Sequence, residues 1–128
     1  MTHEEICTYE VCKLAKETGF DWMPSMYFHS GIESDLRVVG VNGANPNKIP
    51  HSPHISCPTQ SLLQRWLREE KGYYVYPFFD NESERWTWIC RELTGDKWIQ
   101  LLDFEERYFD TYELALEDAL AYSLKNLV

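Results

Sequence analysis

Basic residues are scarce in this chain. Twelve Lys and Arg stand against 21 Asp and Glu over 128 residues, a formal net charge of −9. Phosphate neutralisation supplies much of a duplex-DNA binder's affinity, so no duplex-DNA partner is expected. Long apolar runs are missing too. None approaches the ~20 residues of a membrane span, and the charged opening Met1-Thr2-His3-Glu4-Glu5 has no secretory h-region. A cytoplasmic protein without membrane attachment is the expectation. The four cysteines, Cys7, Cys12, Cys57 and Cys90, form no Cys-x-x-Cys pair. Without an export signal they read as reduced thiols, three of them small core residues. Neither an internal repeat nor a low-complexity linker divides the chain, so residues 1–128 form one domain.

Aromatic residues, by contrast, are plentiful: five Trp, eight Tyr and six Phe. Three helices are signalled. Thr2 and Glu5 have capping-box spacing, with Thr8 as an alternative cap that shortens the first helix by two turns. Cys7, Val11, Leu14, Ala15 and Thr18 form its stripe, and Gly19 ends it with Phe20 folded back on the last turn. The second helix starts near Pro58 and buries Leu62, Leu63, Trp66 and Leu67, with Arg65 and Glu69 at pairing distance and Gly72 at its end. The last takes Asp110 and Glu113 as cap and N3, and lays Tyr112, Ala115, Leu116, Ala119, Leu120, Ser123 and Leu127 on one stripe.

Three strands lie between the second and third helices. Tyr73 to Phe79 carries Pro77, which suits a sheet edge. Arg85 to Leu93 alternates, with Trp86, Trp88 and Cys90 on one side and Arg85, Thr87, Ile89 and Arg91 on the other. Lys97 to Phe104 follows the turn Thr94-Gly95-Asp96. Upstream, Met26–His29 and Leu36–Val41 pair as a short hairpin, and Asn42 to Ser56 reads as a surface loop. The fold class is therefore α+β: a three-stranded antiparallel meander, extendable by the N-terminal hairpin, with three helices packed mainly on one face.

Three stretches carry a resemblance: Val11-Cys12-Lys13-Leu14-Ala15-Lys16-Glu17-Thr18-Gly19-Phe20-Asp21, Pro58-Thr59-Gln60-Ser61-Leu62-Leu63-Gln64-Arg65-Trp66-Leu67-Arg68-Glu69, and Thr111-Tyr112-Glu113-Leu114-Ala115-Leu116-Glu117. Together they resemble a group of small uncharacterised proteins of bacteriophages and prophage regions. The resemblance implies a phage-derived accessory protein inside the cell and carries no activity with it.

The sharpest chemical motif is His51-Ser52-Pro53-His54-Ile55-Ser56-Cys57. Its His51, His54 and Cys57 are donor types that zinc prefers, with His29, a carboxylate or water as a fourth ligand. It lacks a Cys-x-x-Cys knuckle, so the expectation is no cofactor, with zinc as the alternative. Cys57, near a helix start, has the lowered pKa of a nucleophile in prospect. No nucleophile–base–orienter set accompanies it, and the expectation leans to no enzymatic activity. A sheet displaying Tyr74, Tyr76, Trp86 or Trp88 beside Arg85, Arg91 and Lys97 is a surface on which single-stranded nucleic acid or a protein partner could stack. From Asp103 to Val128 seven acidic residues face two basic ones, a negative surface suited to a basic protein. Strand Tyr73–Phe79, as an open edge, is a route to a homodimer. The function expected is non-catalytic, through contacts with a protein partner.

Overall fold

The computed structural model describes residues 5–93, 98–100 and 107–128. Helix α1 runs Tyr9–Glu17, α2 Gln60–Trp66 and α3 Tyr112–Asn126. Strands β1 (Met26–Phe28), β2 (Leu36–Val38) and β3 (Ile55–Cys57) make one antiparallel sheet, ordered β2-β1-β3. Strands β4 (Tyr73–Asp80), β5 (Arg85–Glu92) and β6 (Trp98–Gln100) make the expected antiparallel meander. The class is α+β, as the sequence implies.

Each helix begins where a threonine closes it. Thr8 Oγ1 accepts from Val11 N–H at 3.4 Å, Thr59 Oγ1 from Leu62 N–H at 3.2 Å and Thr111 Oγ1 from Leu114 N–H at 3.1 Å. The first helix therefore takes the shorter alternative start; Thr2 lies outside the described residues. The last is capped by Thr111, not Asp110, which instead pairs with Arg85 at 3.4 Å. Gly19, at φ 97°, ends α1. The Phe20 N–H returns to Ala15 O at 2.9 Å and the ring is buried. Helix α2 loosens into a π-helical turn, Leu67–Lys71, and stops at Gly72 with φ 77°. The Arg65–Glu69 pair forms at 3.1 Å on its wet side.

The hairpin of β1 and β2 forms, but it does not extend the meander. It pairs instead with β3, a strand inside what reads as loop in the sequence, in the register Tyr27↔Ser56. One continuous cluster spans both sheets: Cys12, Ala15 and Phe20 from the α1 side, Leu63, Trp66 and Leu67 from α2, Val75, Trp88 and Cys90 from the meander, and Leu116 and Leu120 from α3. Helix α3 lies on the meander, while α1 packs on α3 and β3 rather than on the meander face. All four cysteines are buried and free, one more in the core than the sequence suggests.

Register fixes the faces of the meander. Val75, Pro77, Trp88 and Cys90 point inward and are buried; Tyr74, Tyr76, Thr87, Ile89 and Arg91 occupy the opposite face. The alternation read along β5 is correct. Trp86 and Trp88, however, do not share a face with Tyr74 and Tyr76, so they cannot join them in one stacking surface.

Candidate functional site

The densest group of polar side chains lies on the outer face of the N-terminal sheet. Its inner face, with Phe28, Ile55 and Cys57, belongs to the core. Alternation then sends Tyr27, Arg37 and Ser56 outward as register partners. The next positions along the same rows are His29, Asp35 and His54, because His29 N–H donates to Asp35 O at 2.9 Å and the His29 and His54 rings meet at 4.7 Å. Six polar residues thus form a grid of two rows on three strands. Arg37 holds Asp35 through Nε at 2.9 Å and Nη2 at 3.1 Å, and this charge-assisted bond keeps the Asp35 carboxyl below its ordinary value. Tyr27 sets its ring against His54 at 5.2 Å, edge on. Beside Tyr27 and His54 opens a cavity of about 160 Å³, walled by Val39, Gly40, Gly43, Ala44, Pro46 and Ile49.

The grid is clamped from behind by α1. Lys16 Nζ donates to Ser52 O at 2.8 Å and to His54 O at 2.6 Å, while Tyr9 Oη donates to Gly31 O at 2.7 Å. Turn His29–Gly31 then meets the His51–His54 loop face to face. Gly31 sits at φ 71°, and a Cβ there would lie 2.8 Å from Pro53 O, so no side chain fits between the two segments. Asn47 closes the far side, accepting from Ser56 N–H at 2.9 Å and donating to Phe20 O at 2.9 Å. Two buried polar atoms are left without a hydrogen-bond partner among the described residues, His29 Nδ1 and Ser56 Oγ.

This geometry takes the proposed zinc motif apart. Cys57 points into the core and lies 3.7 Å from Cys7 O. His51 is exposed at φ 58°. The His54 ring points the other way, into the grid, where Nδ1 accepts from Ser30 N–H at 2.8 Å. A neutral imidazole that accepts at Nδ1 carries its proton on Nε2, which leaves no free lone pair for a metal. Among the described residues no group of three or more His, Cys, Asp or Glu is placed to hold a metal ion. The Cys57 thiol is held below its ordinary value, the direction the sequence suggests, but by its side-chain contact with Cys12. At 1% exposure it is closed to substrates.

The aromatic surface assembles only in part. Tyr74 and Tyr76 lie side by side at 4.9 Å, and Arg91 is the register partner of Tyr74. Arg68, which sequence reasoning left out, stands over the Tyr74 ring at 5.4 Å from the π-helical turn. Arg85 is drawn to Asp110 at the far end of the sheet. Lys97 lies outside the described residues.

Tyr27, Asp35, Arg37 and Ser56 were also missed. Their only local signal is i, i+2 spacing, in Tyr27-x-His29, Asp35-x-Arg37 and His54-x-Ser56, which places each pair on one face once the segments are strands. Comparison with protein-family models, with curated proteins and with solved structures found no match.

Proposed function

We propose that the chain is a non-catalytic accessory protein of the phage type, working through protein contacts, and that its contact surface is the open edge of β2. The observation that carries this reading is an unguarded edge flanked by exposed apolar side chains. His29 N–H bonds to Asp35 O, and Val39 N–H to Ser25 O at 2.9 Å. Antiparallel bonds alternate, so residues 35, 37 and 39 face β1 while Leu36 and Val38 direct their N–H and C=O groups outward. These four groups find no partner among the described residues. Val38 is 72% exposed, Ile32 50% and Val41 fully exposed.

The edge of β4 is guarded. On β4 the outward positions are 73, 75 and 77; Gln64 Nε2 donates to Val75 O at 2.6 Å, and Pro77 has no N–H to offer. Among the described residues the β2 edge has no such protection, and its chemistry suits an extended segment of another protein, added as a fourth strand. A second copy suits it less. The two-fold register that uses all four groups sets Arg37 directly opposite Arg37, at a close, non-hydrogen-bonded pair of positions.

A catalytic reading of the grid lacks a nucleophile. Ser56 Oγ is fully buried and touches no base. The substitution Val38→Pro removes an outward N–H that no other group uses, so the fold should tolerate it. Immobilised chain is expected to retain a protein from cell lysate that Tyr76→Ser still retains and Val38→Pro releases. Retention untouched by Val38→Pro contradicts the edge. A dimer dissolved by Val38→Pro would make the occupant a second copy, and salt-sensitive oligonucleotide binding lost in Tyr76→Ser would move the function to the meander.

A further inference from the structure

We infer that the contact between Ser30 and His54 is a pH-sensitive latch: it joins the His29–Gly31 turn to the His51–His54 loop while the His54 ring is neutral, and it opens when the ring is protonated. The turn and the loop are tied to α1 separately, through Tyr9 and Lys16. The hydrogen bond that joins them to each other runs from Ser30 N–H to His54 Nδ1, at 2.8 Å. An imidazolium has two N–H donors and no acceptor. Protonation therefore replaces an attraction by two N–H groups pointing at one another.

The surroundings bias the ring toward neutrality. From β1 it meets Tyr27 at 5.2 Å, and from the turn that follows β1 it meets His29 at 4.7 Å. From α1 the Lys16 ammonium lies 2.6 Å from its own carbonyl, and from β2 comes the Arg37 guanidinium. Asp35, the carboxylate of the grid, is already engaged by Arg37. Burial first, and then the charges of His29, Lys16 and Arg37, hold His54 below its ordinary value of 6.5. A histidine depressed in the folded state stabilises its contact above the unfolded value and loses it as the pH falls through the lower, folded one. The latch is thus closed at neutral pH and opens in mild acid.

Backbone geometry makes the opening local. Ser30 is held at φ 55°, a left-handed conformation uncommon for a residue with a side chain, and Gly31 follows at φ 71°. His29 Nδ1, buried without a partner, supplies no second polar tie across the gap. When the Ser30 bond goes, the turn keeps its own closure, Ile32 N–H to His29 O at 3.1 Å, and its tie from Tyr9 to Gly31 O, so what opens is the gap between turn and loop, beside the cavity that His54 lines.

NMR on the full, ¹⁵N-labelled chain between pH 8 and pH 4.5 tests this. At pH 8 the His54 ring should carry its proton on Nε2, and the Ser30 amide shift should titrate with the His54 midpoint, below 6.5. Protection of the Ser30 amide against hydrogen exchange, corrected for intrinsic rate, should fall by about threefold to tenfold through that midpoint, as the loss of one hydrogen bond of ordinary net worth implies. His54→Asn places a non-titrating oxygen near the Nδ1 position and should abolish the pH response of Ser30. An Nδ1–H tautomer at pH 8, a Ser30 amide indifferent to His54, or the same response surviving in His54→Asn would each overturn the latch. The tautomer measurement needs no variant and decides even if His54→Asn misfolds.

Discussion

Replacing Trp88 by Ala should remove about 3–5 kcal/mol of stability, a loss in the top range for a single substitution. Trp88 is fully buried where β5 meets α3. Its ring lies 5.5 Å from that of Tyr122, and its Nε1–H donates to Asp118 at 2.8 Å. The truncation removes the side chain that fills the space between sheet and helix and leaves a cavity the layers can only partly close. A domain of this size holds roughly 5–15 kcal/mol in total, so Trp88→Ala should be marginally folded near physiological temperature. Trp88→Phe keeps most of the apolar contact and gives up the indole N–H. Asp118 still accepts from Arg107 at 2.7 Å, so this variant should lose only about 1–2 kcal/mol, from the missing bond and the smaller ring. Urea melts followed by circular dichroism separate the two. A loss below about 1 kcal/mol for Trp88→Ala would contradict a core position.

Glu117→Ala should cost about 2–3 kcal/mol through a different mechanism, the release from α3 of the starts of α1 and α2, which one carboxylate holds through three hydrogen bonds. Oε2 accepts from Thr8 N–H at 2.8 Å and from Thr8 Oγ1–H at 2.7 Å, while Oε1 accepts from Gln60 Nε2 at 2.8 Å. A negative charge at the N-terminus of α1 is also favoured by the helix dipole. Gln60 is only 4% exposed and turns its other bond to Glu113 O, at 2.9 Å. Glu117→Gln discriminates between charge and shape. Its amide can satisfy Gln60 or Thr8, but its NH₂ group must then face a donor. It should therefore lose more than half of what Glu117→Ala loses, although the two side chains are nearly isosteric. A Glu117→Gln variant as stable as the parent would show that the carboxylate merely decorates the surface.

The contrast between these two positions shows what was legible in the sequence. Trp88 is visible in its alternating run: period-two patterning groups it with Trp86 and Cys90, although the sequence also offers it to a displayed aromatic surface, and its inward direction comes from the fold. The stripes of α2 and α3, Gly19 and Gly72 as helix stops, and the hairpin of β1 and β2 were equally visible, because each rests on local spacing. Glu117 figures in the sequence only as one of the seven acidic residues between Asp103 and Val128. Its role as a hub depends on α1, α2 and α3 converging, which no local pattern encodes. The same holds for β3. Three residues between Pro53 and Pro58 are too few for periodicity to register, and its partner β1 lies about thirty residues upstream. With β3 unseen, the grid could not be assembled, and His54 was grouped by sequence proximity with His51 and Cys57 rather than by face with His29, Tyr27 and Ser56. Asp110 and Thr111 are both good capping residues, and composition does not say which one closes the helix.

Alternating backbone bonds leave Leu36 and Val38 without backbone partners among the described residues, at an edge with exposed apolar side chains, so Val38 is where a partner should be trapped. A photo-crosslinking amino acid placed at Val38, with a second chain carrying it at Tyr76 on the meander face, tests this in living cells. The expected result is a protein adduct at Val38 and none at Tyr76, with the Val38 adduct migrating above the size of two chains or otherwise distinct from a self-dimer. An adduct at Tyr76 alone, or a Val38 position that stays unmodified while the chain is folded, would contradict docking at the β2 edge.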